Sequence, residues 1–166
     1  MTTPHAPFNI LFLCTGNSAR SILAEGLMNH LGAGRVRAYS AGSRPMGRVN
    51  PLALETLAAL GCATDGYASK SWDVFAGPDA PKMDAVITVC DSAAGEACPY
   101  WPGAPMTAHW GFADPSHAEG DEEAKRHAFA RTAQAIRQRL HLLLALPVDR
   151  LDRLSLQQHL REIGEQ

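Results

Sequence analysis

The 166-residue chain lacks long apolar runs and blocks of like charge. Its longest apolar stretch, 140–146, is interrupted by His141 and is far shorter than the ~20 residues that a membrane-spanning helix needs. The chain has 15 Lys and Arg residues against 17 Asp and Glu residues. Because the sequence contains no basic cluster, the positively charged surface expected of a nucleic-acid-binding protein is missing. The first seven residues have neither the basic start nor the apolar core of a signal peptide. We therefore expect a cytoplasmic protein with no nucleic-acid and no membrane partner.

The chain has four cysteines. In a reducing compartment such cysteines are interpreted as reactive, metal-binding or buried before they are interpreted as structural disulfides. The length and the 46% hydrophobic content suit one globular core. We predict one α/β domain over residues 1–166, with a core at 8–147 and an appended C-terminal helix at about 155–163.

Strand-like and helix-like segments alternate along the chain, which is typical of a layered α/β fold with a parallel sheet. Short apolar segments predict strands at 8–13, 35–40, 84–89 and 106–110, and 41–43 is predicted as a turn. Helical periodicity and capping residues predict helices at 21–31, 51–60, 71–76, 121–146 and 155–163. Pro147 is predicted to end the longest helix, and Ser155 to cap the last one.

The most informative segment follows the first predicted strand, where Cys14 is separated by five residues from Arg20. A loop entering a helix N-terminus presents its backbone N–H groups and the positive end of the helix dipole to an anion. A guanidinium adds two-point binding of oxygens, and the same field favours the thiolate form of Cys14. The predicted oxyanion-binding loop consists of Thr15, Gly16, Asn17, Ser18, Ala19, Arg20 and Ser21.

Three reactive side chains follow different predicted strands, because Cys14, Cys90 and Asp114 each stand at or just past a strand end. Ligands of open parallel sheets bind beyond the carboxyl ends of the strands. We therefore expect these side chains to converge on one edge of the sheet.

The Cys-x5-Arg-Ser loop and the segment Tyr39-Ser40-Ala41-Gly42 resemble the low-molecular-weight tyrosine phosphatase fold. Three further features resemble the thioredoxin-coupled arsenate reductases of that fold. They are the apolar run that ends in Cys90, the pair Cys98-Pro99, and the segment 109–115 that contains Asp114. The resemblance covers about residues 8 to 145 and implies a three-layer α/β fold with a four-stranded parallel sheet. It also implies that no cofactor is needed.

This resemblance implies a reaction in which Cys14 attacks arsenate while protonated Asp114 donates a proton to the departing oxygen. Cys90 then attacks the Cys14 sulfur and arsenite leaves, and Cys98 moves the disulfide to Cys90–Cys98. A thioredoxin-like protein is the expected reductant, with glutaredoxin and glutathione as the alternative. Asn17 is expected to fix the loop, and the Ser21 hydroxyl to stabilise the thiolate.

Some arsenate reductases of this kind bind potassium through a glutamate, a serine and an aspartate. Asn17, Glu25 and Ser40 match that set, but Lys70 stands at the aspartate position, so no metal site is predicted. A zinc site at Cys90, Cys98 and His109 is disfavoured by the C-x7-C spacing.

Two other functions stay open. A phosphotyrosine phosphatase would use Cys14, Arg20 and Asp114 and leave Cys90 and Cys98 idle, but Ser116-His117 stands where such enzymes present aromatic residues to the substrate. A non-enzymatic oxyanion or redox sensor would bind anions without turnover. Cys62, which follows Gly61, is interpreted as structural.

Overall fold

The computed structural model describes residues 7–90, 106–148 and 153–165. Within these ranges strands and helices alternate as predicted, and 3₁₀ turns span Trp72–Phe75 and Pro115–His117. The elements in chain order are β1 (Phe8–Cys14), α1 (Arg20–Leu31), β2 (Val36–Gly42), α2 (Pro51–Ala59), β3 (Ala85–Thr88), β4 (Met106–His109), α3 (Glu122–Leu144) and α4 (Arg153–Gly164).

The strands form a four-stranded sheet in the order β2-β1-β3-β4. Each neighbouring pair is parallel, which confirms the predicted fold class. In the register, Cys14 lies beside Gly42 of β2, and Leu13 lies beside Thr88 of β3. The carboxyl ends of the two central strands therefore meet at one edge, with the Cys14 thiol between the ends of β2 and β3.

The sheet has an apolar layer on each face, because side chains of a strand alternate between the two sides. Ile10 and Phe12 of β1 belong to the larger core, which contains apolar residues of all four helices. Leu11 and Leu13 belong to a smaller core with Phe75. The near-continuous apolar run of β1 is thus explained by burial on both faces.

The C-terminal helix α4 packs against β4 at the edge of the sheet. Its Leu156 and Leu160 belong to the larger core, and the Leu160 carbonyl accepts a 2.9 Å hydrogen bond from the Trp110 indole Nε1. Trp110 is fully buried. The appended helix therefore anchors the start of the segment that leads to Asp114.

Several boundaries differ from the prediction by one or more residues, and three of these differences have an identifiable physical cause. The turn predicted at 41–43 begins later, because Ala41 and Gly42 continue β2 in parallel register with β1. Helix α3 ends at Leu144, since the residue before Pro147 is disfavoured in the α conformation. Ser155 is not a cap, because α4 starts at Arg153 and no helix-breaking residue separates the two.

The predicted helix at 71–76 is a 3₁₀ turn whose Ser71 side chain accepts from the Asp73 N–H. Among the described helices, none is both long enough and apolar enough to cross a membrane.

Candidate active site

The loop from Cys14 to Ser21 is held from outside by the segment 43–50. Backbone N–H groups of that segment donate to the loop carbonyls, which turns these carbonyls away from the centre of the loop. The loop N–H groups consequently point inward, as an anion-binding cradle requires. The bonds join Ser43 N to Cys14 O (3.3 Å), Arg44 N to Thr15 O (2.9 Å), Met46 N to Gly16 O (2.9 Å) and Asn50 N to Ser18 O (3.0 Å).

The Cys14 sulfur lies at the centre of this cradle and is a free thiol, 3% exposed. Its Sγ atom is 2.9 Å from the Ser21 hydroxyl oxygen and accepts a 3.2 Å hydrogen bond from the Asn17 backbone N–H. Hydrogen-bond donors around a sulfur favour its negatively charged form. The Cys14 sulfur is therefore surrounded by polar groups of its own loop, the Asn17 N–H and the Ser21 hydroxyl.

Asn17 fixes the shape of the loop. Its φ of 46° lies in the left-handed region, which asparagine tolerates better than most residues. The buried side-chain amide donates to Ser21 Oγ at 2.8 Å and to Ser40 Oγ at 3.0 Å. Its carbonyl oxygen accepts from the Lys70 backbone N–H at 2.9 Å. One side chain thus joins the loop to β2 and to the segment before the 3₁₀ turn.

A partly buried carboxyl group adjoins this network. The Ser40 hydroxyl donates to Oε1 of Glu25 on α1. Burial raises the pKa of Glu25, while the Ser40 hydrogen bond and the charge of Lys70 oppose that increase. The Lys70 ammonium itself donates to the Ala68 carbonyl at 3.0 Å. From the sequence, Glu25 and Ser40 were related only to a cation site, and their contact with each other was not predicted.

Arg20 connects the loop with the segment that follows β4. Its guanidinium is almost completely buried; Nη1 donates to the Phe112 carbonyl at 3.0 Å, and Nη2 lies 3.5 Å from Asp114 Oδ2. The structure therefore brings together Cys14, Arg20 and Asp114, which are separated by up to a hundred residues in the chain. The Phe112 carbonyl is a partner that no sequence motif indicated.

Asp114 is held by its own neighbours as well. Oδ1 accepts from the Ser116 backbone N–H at 3.0 Å and from the Ser116 hydroxyl at 2.7 Å. Its side chain is 22% exposed, and the exposed imidazole of His117 lies 3.7 Å from Oδ2. The Asp114 carboxyl therefore faces Arg20 with Oδ2 and Ser116 with Oδ1.

Cys90 follows the end of β3 and is fully buried. The hydrogen bond from Val89 N to Leu13 O, at 2.9 Å, continues the pairing of β3 with β1 to this point. Cys90 is disulfide-bonded, whereas Cys14 and Cys62 are free. Cys98 lies outside the described residues. Within those residues, no group of three or more His, Cys, Asp or Glu side chains could hold a metal ion.

Gly42 is required where β2 passes the loop. A Cβ atom there would collide with the Thr15 carbonyl oxygen and lie 3.1 Å from Asn17 Cβ. We expect Gly42→Ala to lower the free energy of unfolding by about 1–3 kcal/mol and to weaken phosphate binding, because the loop must shift. Urea unfolding and calorimetric titration with phosphate measure both effects. Gly77→Ala is the matched control, since its Cβ would meet nothing within 4 Å; equal effects in the two variants would contradict the prediction.

Comparison with known proteins agrees with this geometry. The sequence profile of the low molecular weight phosphotyrosine protein phosphatases matches residues 9–157. The chain belongs to this family.

Within the family, its relatives include arsenate reductases. The arsenate reductase of Bacillus licheniformis is 41% identical over 133 residues, which are 79% of this chain and 91% of that protein. The crystal structure of an arsenate reductase from Archaeoglobus fulgidus superimposes with a TM-score of 0.62 at 26% identity, over 80% of this chain and 98% of that one. A thioredoxin-dependent arsenate reductase from Corynebacterium glutamicum gives a TM-score of 0.53 at 25% identity, over 80% of this chain and 59% of that one. The resemblance stated from the sequence is thereby confirmed.

Proposed function

We propose that this protein reduces arsenate to arsenite. The observation that carries the proposal is the place of Cys90, at the end of the strand next to the one that ends in the nucleophile Cys14. A hydrolytic phosphatase has no use for a second thiol there, whereas a reductase needs one within reach. The arsenate reductases among its relatives support the same function.

The first step forms a bond between the Cys14 sulfur and arsenic. The inward N–H groups of the loop and Arg20 bind the arsenate oxygens. Asp114 gives its proton to the departing oxygen, which leaves as water when the As–O bond breaks. Arsenic stays in its +5 state in this covalent adduct.

The second step reduces arsenic. The Cys90 thiolate attacks the Cys14 sulfur, and the electron pair of the S–As bond stays with arsenic. Arsenite leaves, and the two thiols are oxidised to a Cys14–Cys90 disulfide. Pairing of Leu13 with Thr88 puts Cys90 one residue beyond the register position beside Cys14. Strands about 4.8 Å apart with a rise of about 3.3 Å per residue then give a Cα separation of about 6 Å, within disulfide range.

The third step regenerates Cys14. Cys98 attacks the Cys90 sulfur, releases the Cys14 thiolate and forms a Cys90–Cys98 disulfide, which a thioredoxin-like protein then reduces. The oxidised Cys90 beside a free Cys14 fits the end of this relay. The thioredoxin dependence of the Corynebacterium relative supports the choice of reductant.

Hydrolysis of phosphotyrosine is the second candidate, because Cys14, Arg20 and Asp114 serve it equally well and the family is named for it. The residues after Asp114 argue against it. Ser116 is bonded to the Asp114 carboxyl and His117 is exposed, so they form no apolar wall for a phenyl ring.

Steady-state assays of the reduced protein distinguish the candidates. Arsenite formation is measured with thioredoxin, thioredoxin reductase and NADPH, in parallel with glutaredoxin and glutathione, and phosphotyrosine peptide hydrolysis is measured separately. We expect arsenite with thioredoxin and slow hydrolysis. Rapid peptide hydrolysis without arsenite from either donor would establish the phosphatase.

Asp114→Asn tests the proton donor. The asparagine amide keeps the shape of the carboxyl group but cannot transfer a proton to the departing oxygen. We therefore expect kcat/KM for arsenate to fall about 10²- to 10⁴-fold. Asp121→Asn is the control, because Asp121 caps the N-terminus of α3 and asparagine caps equally well. A decrease below threefold in Asp114→Asn would exclude the role.

A further inference from the structure

We propose that Arg139 of α3 is a positioning residue for Asp114, acting through Phe112, which lies two residues before that carboxyl group. The proposal rests on the role proposed above for Asp114 as the proton donor. Arsenate reduction and hydrolysis of a phosphate ester both need that role, so either reaction can test the proposal.

The backbone between β4 and Asp114 has no regular structure to fix it. These residues, 110–114, are called the acid segment here and belong to no strand or helix. At the start of the segment, the Trp110 N–H donates to the Thr88 carbonyl at 2.7 Å. At its end, the Asp114 carboxyl accepts from Ser116. The middle of the acid segment has no ladder of strand hydrogen bonds, so its position depends on contacts with side chains.

Two arginines from different helices hold this middle part. Nη1 of Arg139 donates to the Gly111 carbonyl at 3.3 Å, and Nη1 of Arg20 donates to the Phe112 carbonyl at 3.0 Å. The guanidinium carbon of Arg139 also lies 4.5 Å from the centroid of the Phe112 ring, which is a cation–π contact. Phe112 is therefore held through its ring by Arg139 and through its carbonyl by Arg20.

The position of Phe112 determines the position of the Asp114 carboxyl group. Oδ2 of Asp114 lies 3.5 Å from Nη2 of Arg20, the same guanidinium that binds the Phe112 carbonyl. A displaced Phe112 would weaken its bond to Arg20 and shift Asp114 with the backbone. Catalysis depends steeply on such placement, since a displacement of about 1 Å can lower a rate by a factor of about 10².

A cleft of about 370 Å³ separates part of the acid segment from α3. Its walls are residues 112–115 and Ala118 on one side, and Ala128, Arg131, Thr132 and Ala135 on the other. Because several of these side chains are small, this stretch of the helix does not pack closely against the segment. Arg139 lies about one helical turn beyond Ala135 and provides a direct contact between α3 and Phe112.

The charge of Arg139 is retained although burial opposes it. Burial lowers the pKa of the Arg139 guanidinium, because a charged group is less stable away from water. The cation supplies an attraction to the ring face and a donor for the Gly111 carbonyl, which a methionine of similar length cannot supply. Both contacts act on the acid segment.

The test is a double-mutant cycle that combines Arg139→Met with Asp114→Asn. The full chain and the three variants are compared by kcat/KM for arsenate with thioredoxin. We expect Arg139→Met alone to lower kcat/KM about 10- to 100-fold. In the Asp114→Asn background its effect should be less than about threefold, because no proton donor is left to be misplaced. A similar loss in both backgrounds would show a general structural role and overturn the proposal.

Phosphate binding separates Asp114 from Arg20 as the group that Arg139 positions. We expect the Kd for phosphate, measured by calorimetric titration, to change less than about threefold in Arg139→Met. The N–H groups of the loop are held independently by the segment 43–50. A loss of affinity of about tenfold or more would indicate that Arg139 acts through Arg20 and would contradict the proposal.

Two further variants guard the cycle against nonspecific effects and misfolding. Arg137→Met is the matched control, since Arg137 is also a half-buried arginine of α3 but its charge acts on the Cys62 thiol. It should change kcat/KM less than about threefold. Circular dichroism melts identify a variant that fails to fold. Arg139→Lys, which keeps the charge but loses the planar contact, then carries the cycle with an expected fall of about three- to tenfold.

Failure of the proposed function remains distinguishable from failure of this proposal. If no arsenite forms with any donor, phenyl phosphate replaces arsenate in the same cycle, because its leaving group also requires a proton. Deuterium exchange of the peptide backbone requires no reaction. We expect the amides of residues 111–114 to exchange about 3- to 30-fold faster in Arg139→Met, with unchanged exchange in β1. Unchanged exchange in the acid segment would overturn the proposal.

Discussion

Replacement of Cys14 by serine is expected to lower the rate of arsenite formation by a factor of about 10⁴ or more, while oxyanion binding persists. A hydroxyl is a weaker nucleophile and cannot form the disulfide that carries the two electrons. The binding groups are not affected, because the inward N–H groups are held by the segment 43–50 and Arg20 is held by Phe112 and Asp114. The variant separates chemistry from binding.

Arsenite assays with thioredoxin and calorimetric titration with phosphate measure the two properties of Cys14→Ser. Cys62→Ser is the matched control, since Cys62 is also a buried free thiol but lies outside the cradle. Substantial arsenite turnover in Cys14→Ser would refute the assignment of Cys14 as the nucleophile. A biological response to arsenate that survives this substitution would favour the oxyanion sensor.

Replacement of Cys90 by serine is expected to stop arsenite turnover completely, because the S–As bond has no second thiol to break it. The Cys14 adduct should still form, since the loop, Arg20 and Asp114 are unchanged. Slow hydrolysis of p-nitrophenyl phosphate should persist, because water can cleave a phosphocysteine without any disulfide chemistry. Loss of one reaction and survival of the other is the signature of a reductase built on a phosphatase site.

Parallel assays of Cys90→Ser with arsenate and with p-nitrophenyl phosphate test this expectation, again with Cys62→Ser as the reference. Equal loss of both reactions would indicate that Cys90 supports the fold of the site. Arsenite turnover at the original rate would exclude Cys90 from the relay and move the proposal toward direct reduction by glutathione.

The fold was predictable because local signals agreed with one another. The apolar run of β1 indicated a strand buried on both faces, and Asn50 followed by Pro51 indicated the start of α2, where the Asn50 side chain does cap the Leu52 N–H. The errors lie at boundaries set by tertiary contacts. Gly42 belongs to a strand because β1 continues beside it, which nothing in the turn-like residues around it shows.

The site was predictable in part. Spacing within one segment singled out Cys14 and Arg20 as candidate site residues, and strand ends predicted that Asp114 and Cys90 lie at the same sheet edge. The contacts that hold the candidate site residues in place are long-range, such as Arg20 with the Phe112 carbonyl and Asn17 with the Lys70 N–H. Backbone partners carry no side-chain signature, so no motif could indicate them.

The most direct test of the relay counts arsenite released by the pre-reduced protein without any external thiol, followed by mass-spectrometric mapping of its disulfides. We expect about one arsenite per chain and one new Cys90–Cys98 disulfide, with Cys14 free and with neither product formed by Cys90→Ser. Absence of arsenite until glutathione and glutaredoxin are added would contradict the intramolecular relay. A disulfide that maps to any other pair of cysteines would contradict the order of the steps.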